Sequence, residues 1–321
     1  VAPPHGSMLP MSPVRKNILM VACALGLLIP VVIIFICENM NTRVRGRKDL
    51  ESVTVPFIGE IPLFTRKKKG IFRKKPQEVR AIVVKEGSRD IINEAFRVLR
   101  TNLEFMTGKD KASNVIIVTS FNPGSGKSFL TMNIAVSFAI KGKKVLVIDG
   151  DLRHGSASSY IDSPTKGLSD YLGGRIDNLN EIIVTNPKQK YLDILPVGTI
   201  PPNPTELLFD DRLKQVIDTV REQYEYVLID CPPIELVADT QIIEKLADRT
   251  IFVVRAGLLE LSMLAELEKI YGEKKYKNMS LILNGTEGSG GRYGYRYGYR
   301  YGYHYGYGSE YHYGSDEKYI E

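Results

Sequence analysis

"VIIVTSFNPGSGKSFLTMNIAVSFA", from Val115 to Ala139, opens on six residues without a charge and rich in β-branched side chains. Such a run suits a strand buried on both faces. Pro123 and Gly124 break it, Gly126-Lys127-Ser128 follow, and an apolar segment of helical character closes the stretch. A strand, a glycine-containing turn and a helix in this order form the context of a phosphate-binding P-loop. Backbone N–H groups of the turn and the helix dipole both face an anion there. Pro123, Gly124, Ser125, Gly126, Lys127, Ser128 and Phe129 are thus the candidate nucleotide contacts. Lys127 can reach the β- and γ-phosphates, and the Ser128 hydroxyl can ligate Mg²⁺. The spacing departs from the usual GxxxxGK[ST], because Phe121 stands where the first glycine is expected. GSGKS alone could arise by chance in a chain of this length; the flanking strand and helix give it weight.

Two further strand ends carry acids. "VLVIDGDLR" places Asp149 and Asp151 on alternate residues, with Arg153 after them, and "YVLIDCPPI" ends on Asp230 before Pro232 and Pro233. A lone strand-end Asp usually caps a helix. In an open parallel sheet, however, ligands bind beyond the carboxyl ends of the strands, so all three acids share the rim of the phosphate site. A metal ion and a base account better for three carboxylates in that place.

The wider chain fits an α/β domain. Apolar runs recur at 81–85, 115–120, 144–149, 191–198, 226–230, 250–256 and 280–285, mostly with helical segments between them. This alternation predicts a mainly parallel sheet covered by helices on both faces, over residues 81–288. Upstream, Ile18 to Cys37 is an apolar run without a charge, long enough to cross a bilayer as a helix despite Pro30. A buried soluble helix is the plainer alternative. The formal net charge of the 321 residues is +6, but it is unevenly placed. Seven basic residues lie in Thr65–Lys75 and four in Arg43–Lys48. By the positive-inside tendency everything after the span is then cytoplasmic. The basic clusters would face anionic lipid at about 1 kcal/mol per residue. Their place directly after the span argues against a nucleic-acid partner. Residues 38–80, including "VPFIGEIPLF", read as a basic juxtamembrane linker, and 1–17 as an extracytoplasmic stub. The chain opens on Val1, and "HGSM" resembles a cloning remnant, so a fragment of a longer protein is expected. Cys23, Cys37 and Cys231 show no metal or disulfide spacing and are expected to be reduced.

Beyond residue 288 the composition changes. "GGRYGYRYGYRYGYHYGYGSEYHYG" (290–314) alternates tyrosine with Gly, Arg and His and has no aliphatic residue to build a core. A disordered, adhesive tail is one reading. The other is that the hydroxyls of Tyr293, Tyr295, Tyr297, Tyr299, Tyr301, Tyr303, Tyr305, Tyr307, Tyr311, Tyr313 and Tyr319 are themselves acceptors.

Taken together these motifs resemble the bacterial tyrosine kinases of capsular and exopolysaccharide assembly, a MinD/ParA-like branch of P-loop ATPases. "TSFNPGSGKS" matches Walker A, "VLVIDGDLR" the second acidic motif called Walker A′, and "VLIDCPP" Walker B. "EAFRVLRTNLEF", "GLSDYLGG", "LPVGTIPPNPTELL" and the tyrosine cluster support the match. Cys231 departs from it, since Thr is more usual there. The resemblance implies ATP and Mg²⁺ as cofactors. It implies catalytic roles for Lys127, Asp149, Asp151 and Asp230: Asp149 as the base toward an incoming tyrosine, and Ser128, Asp151 and Asp230 around the metal. Asn284 would read adenine, with a strand-ending Asn in a turn as the nearly equal alternative. Glu94, Arg97 and Arg100, spaced by three on one helix, would contact a neighbouring subunit in a ring, an octamer; the plainer account is a solvated face. The tail (289–321) would be phosphorylated by a neighbouring subunit. Partners implied are a tyrosine phosphatase and polysaccharide polymerisation and export proteins. A membrane-anchored ATPase switch without kinase activity is the alternative, separable by measuring phosphotyrosine after incubation with ATP and Mg²⁺.

Overall fold

A strand covered on both faces needs apolar side chains at every position rather than at every second. Val115–Thr119, Val145–Asp149 and Tyr226–Asp230 meet this condition up to their last residue, and all their residues are buried. The computed structural model describes residues 15–39, 42–64, 81–107, 114–187, 189–235 and 238–287, and these three strands lie inside one sheet. Its strands are β1 (Phe57–Pro62), β2 (Val115–Thr119), β3 (Val145–Asp149), β4 (Val184–Thr185), β5 (Leu192–Leu195), β6 (Tyr226–Asp230), β7 (Arg249–Arg255) and β8 (Met279–Thr286). They are ordered β1-β8-β7-β2-β6-β3-β5-β4, and every neighbouring pair is parallel except β4 with β5. The helices are α1 (Arg15–Asn39), α2 (Ile91–Thr107), α3 (Lys127–Ala139), α4 (Leu168–Leu172), α5 (Pro204–Leu208), α6 (Asp211–Gln223), α7 (Asp239–Glu244) and α8 (Met263–Gly272).

Alternate residues of β2 enter different cores. Ile116 and Val118 pack with Phe96 and Leu99 of α2 and Leu130 and Ile134 of α3. Val115 and Ile117 belong to the layer of Val216 and Val220 of α6, Ile243 of α7 and Leu267 of α8. The sheet is therefore sandwiched between helices, the architecture that the recurring apolar runs predict. Helix α1 stands apart, with Lys16–Phe35 exposed and a mean hydropathy of 3.0. It is long and apolar enough to cross a membrane.

Two segments differ from the sequence expectation. Residues 57–62, taken as part of a linker, form strand β1 and pair with β8, with Gly59 opposite Ile282 and Ile61 opposite Asn284. Pro62 is tolerated because β1 is an edge strand. The fold in fact begins earlier. Leu261 N–H donates to Thr42 O (2.7 Å), Val44 N–H to Leu259 O (2.9 Å), and Gly257 N–H to Val44 O (2.7 Å). Conversely the β-branched run at 81–85 joins no strand. Its amides are satisfied by side chains instead: Val83 and Val84 N–H donate to Asn133 Oδ1 (2.7 and 3.2 Å) and Lys85 N–H to Asn93 Oδ1 (2.8 Å). Buried Val83 and Val84 thereby seal α2 and α3 rather than extending the sheet. The basic stretch 65–75 and the tyrosine cluster lie outside the described residues.

If β1 is core rather than linker, Ile61, which is fully buried, carries real stability. Ile61→Ala should lower unfolding free energy by about 2–5 kcal/mol in urea titration. Leu63→Ala, at a half-exposed site just past the strand, should stay within about 0.5 kcal/mol. Equal, small effects at both positions would return the segment to a linker.

Candidate nucleotide and phosphoryl-transfer site

Strand β2 delivers the chain to the rim, where the loop 120–126 turns into α3. Gly126 has φ +86°, and a Cβ there would lie 2.2 Å from Asn284 Nδ2, so only glycine fits. The loop is braced from within by Ser120 Oγ and Ser125 Oγ, both donating to Asn122 O (2.8 Å each). Asn284, at the end of β8, donates from Nδ2 to Ser125 O (2.8 Å). The resemblance implied a base-reading Asn284. In the structure its amide nitrogen bonds the phosphate loop and the residue is almost fully buried, so it braces the loop, with its second N–H and Oδ1 still open to the base-reading role that the resemblance implies. Lys127 is largely buried, with Nζ 3.3 Å from Ser120 Oγ.

The three acids converge on this loop. Asp149 and Asp230 are register partners on adjacent parallel strands β3 and β6, so their side chains leave the same rim together. Both are buried, and Asp151 lies two residues on, at the edge of the same site. Asp149 Oδ2 accepts from Ser158 N–H and Ser158 Oγ–H, both at 2.6 Å, whereas among the described residues Oδ1 meets no donor at full bonding geometry; the Asp151 backbone amide gives the carboxylate a weaker bond. Burial raises the Asp149 pKa, the Ser158 bonds oppose this, and the charge of Asp151 adds to it. Neither oxygen of Asp230 meets a donor at full bonding geometry. Burial and the charge of Asp149 raise its pKa, while the Ser128 hydroxyl and the Lys127 ammonium draw it down. Asp151 accepts from the Arg153 and His154 amides (3.2 Å each) and faces His154 Nδ1 at 3.3 Å.

These orphaned oxygens test the fit of a cation. Two buried carboxylates beside a Ser hydroxyl offer oxygens suited to Mg²⁺, which takes most of its ligands from phosphate and water, while Lys127 and the helix N-terminus supply positive charge for the phosphates. Among the described residues no cluster of three or more His, Cys, Asp or Glu forms an all-protein cage. Cys231 lies under the site, where burial pushes its thiol pKa up, so it stays a neutral packing group.

Other contacts had no sequence signal. Arg153 Nε lies 3.3 Å from Asp239 Oδ2 and Nη2 donates to Thr205 Oγ1 (3.0 Å), which donates to Asp239 Oδ1 (2.6 Å). This ties the turn after β3 to α5 and α7. Ser158 is the other such residue, nine positions beyond the acid that it holds. On α2, Glu94 and Arg97 form an exposed ion pair, and Arg97 also bonds Ser88 O. Arg100 separates from them. It is buried, with Nη1 donating to Ser137 O (2.9 Å) and Ser137 Oγ (3.2 Å), so it fastens α2 to α3.

A family model described as "AAA domain" matches residues 113–281. The tyrosine-protein kinase YwqD of Bacillus subtilis is 35% identical over 209 residues, covering 65% of this chain and 87% of that protein. The tyrosine-protein kinase Etk of Escherichia coli is 31% identical over 261 residues, covering 78% of this chain and 35% of that protein. The solved kinase domain of Etk superposes with a TM-score of 0.66 at 29% identity, covering 82% of this chain and all of that domain. The chain spans 38% of the length of the first curated relatives that it matches, and as little as 34% of others. With the phosphate loop, the two acidic strand ends and these matches in agreement, the chain belongs to the bacterial P-loop tyrosine-protein kinases.

Proposed function

We propose that this chain is an ATP- and Mg²⁺-dependent protein-tyrosine autokinase that phosphorylates the tyrosine cluster of neighbouring subunits. Through this it would regulate capsular or exopolysaccharide polymerisation and export from the inner membrane, with the kinase domain cytoplasmic. One observation carries the reading. Strand β8, whose Asn284 contacts the phosphate loop, ends at Thr286 on the same rim, and the tyrosine cluster follows a few residues later. The candidate substrate is thus tethered beside the candidate site. A cognate phosphatase and polysaccharide export proteins are the partners that the family relationship supports.

The proposed step transfers the γ-phosphoryl group of ATP to a tyrosine hydroxyl. The Oη–P bond forms as the P–O bond to the β-phosphate breaks, and ADP departs with that electron pair. The tyrosine proton goes to Asp149 Oδ1, which meets no donor at full bonding geometry among the described residues. Lys127 and the N-terminus of α3 neutralise the charge on the phosphates. Ser128, Asp230 and Asp151 would hold Mg²⁺, which supplies further charge neutralisation when bound. Asp149 is covered in this structure; catalytic contacts commonly tighten only with both substrates in place. Glu94 and Arg97 keep their solvent-facing positions for contact with a second subunit, whereas Arg100 would support that contact by holding α2 to α3.

Four outcomes are expected. Lys127→Met should abolish phosphotyrosine, read by intact mass, with an unchanged far-UV circular dichroism spectrum; self-phosphorylation by this folded variant would sink the reading. Asp149→Asn should leave Mg²⁺-nucleotide affinity within about fivefold and cut transfer by a factor of at least about 10². A collapse of affinity instead would make Asp149 a metal residue. Glu94→Ala with Arg97→Ala should reduce oligomer mass in light scattering without a stability change beyond about 1 kcal/mol. Arg100→Ala alone should cost about 1–3 kcal/mol of stability, because Ser137 O and Oγ both lose the buried guanidinium donor that fastens α2 to α3.

A further inference from the structure

We propose that Ser158 is a positioning residue for phosphoryl transfer, holding the Asp149 carboxylate in one orientation with Oδ1 uncommitted. The inference rests on the kinase reading above, in which Asp149 takes the tyrosine proton.

A hydroxyl has one proton to give and lone pairs to receive. Ser158 spends the proton on Asp149 Oδ2 (2.6 Å) and receives Val197 N–H (2.9 Å). Its own amide gives Asp149 Oδ2 a second bond at 2.6 Å. Ser158, Asp149 and Val197 are 3%, 0% and 1% exposed, so water does not substitute for these partners. A serine at the head of a short helical turn ordinarily bonds the backbone of that turn. This one opens the 3-10 turn Ser158–Ile161 but reaches back to the end of β3 and across to the segment after β5. It therefore joins three pieces of chain at the one carboxylate.

Two donors on a single oxygen fix the plane of the carboxyl group. A carboxylate held by one bond can rotate and present either oxygen. Held by two on Oδ2, it offers Oδ1, and among the described residues that oxygen meets no donor at full bonding geometry. A proton acceptor must be held within roughly 0.5 Å and 10–20° of its working geometry, and side-chain hydrogen bonds behind it supply that. Ser158→Ala removes one of the two donors and leaves the backbone donor. It also removes the acceptor of Val197 N–H without touching the phosphate loop.

The test uses the full chain with ATP and Mg²⁺, and a fluorescent ATP analogue for binding without turnover. Ser158→Ala should lower kcat for phosphotyrosine formation about 10- to 100-fold, the usual cost of removing an orienting hydrogen bond behind a working ligand. KM for ATP and analogue affinity should move by less than about threefold. Ser158→Thr, which keeps the hydroxyl, should restore most of kcat. Asp149→Asn with Ser158→Ala should be no slower than Asp149→Asn alone, because the two act as one unit. An unchanged kcat in Ser158→Ala, an equal loss in analogue affinity, or additive effects in the double variant would each overturn the proposal. Should Ser158→Ala fail to fold, Ser158→Cys decides: its weak donor should give the same selective loss of kcat, and a folded Ser158→Cys with full kcat would overturn it. The two levels separate cleanly. If Asp149→Asn itself retains kcat, the base reading fails and the role of Ser158 falls with it; if Asp149→Asn is dead and Ser158→Ala is normal, only the positioning role fails.

Discussion

Two carboxylates leave adjacent strands at the same register, and nearly every polar choice around them answers that fact. Asp149 and Asp230 face each other across β3 and β6 inside a site closed to solvent. Burying one ionised carboxylate is costly, and burying two side by side more so. The strand pairing leaves no freedom to separate them. Positive charge must therefore be brought to them, and the fold gathers it from several directions: Lys127, the first turn of α3, and a donor set suited to a divalent cation. A nucleotide triphosphate delivered with its metal suits this arrangement, with oxygens for the cation and negative charge for the helix terminus.

The parallel sheet makes that convergence possible. β2, β6 and β3 are consecutive neighbours pointing the same way, so the loop and both acidic strand ends emerge on one rim. β7 and β8 bring Arg255 and Asn284 to the same edge, and Asn284 locks the loop from its far side. The locking is mutual, because the close approach of Asn284 is what forbids a side chain at position 126.

The parts that were legible in the sequence are those where a local pattern carries the chemistry. Buried strands announce themselves by continuous apolar runs, and the phosphate loop by its place between a strand and a helix. The missed parts are contacts between distant segments. β1 was hidden because Gly59, Glu60 and Pro62 interrupt its pattern, which an edge strand can tolerate. Residues 81–85 looked like a strand because they are β-branched and buried, yet Asn133 and Asn93 supply the bonds that a ladder would have given. Ser158 carries no motif; only the folded chain brings it to Asp149. Arg100 shared the spacing of Glu94 and Arg97, and only the packing of α2 on α3 distinguishes a fastener from a surface group.

The early entry of the chain into the fold limits how the domain can travel. Helix α1 ends at Asn39 and Thr42 already accepts a bond from Leu261, which leaves Met40 and Asn41 as the leash. The three steps from Asn39 to Thr42 reach roughly 11 Å at full extension. With α1 in a bilayer, the catalytic body would be moored at the membrane surface with almost no swing radius, and the basic stretch 65–75 would be a detour between β1 and residue 81 rather than a tether. Meeting a neighbour then becomes a matter of lateral diffusion of the anchors in two dimensions. Any remaining distance between one site and another must be spanned from the opposite end, where the 34 residues from Gly288 to Glu321 alone can extend over roughly 110–120 Å. The membrane end would set who the neighbours are, and the tyrosine-bearing end how far away they can be served.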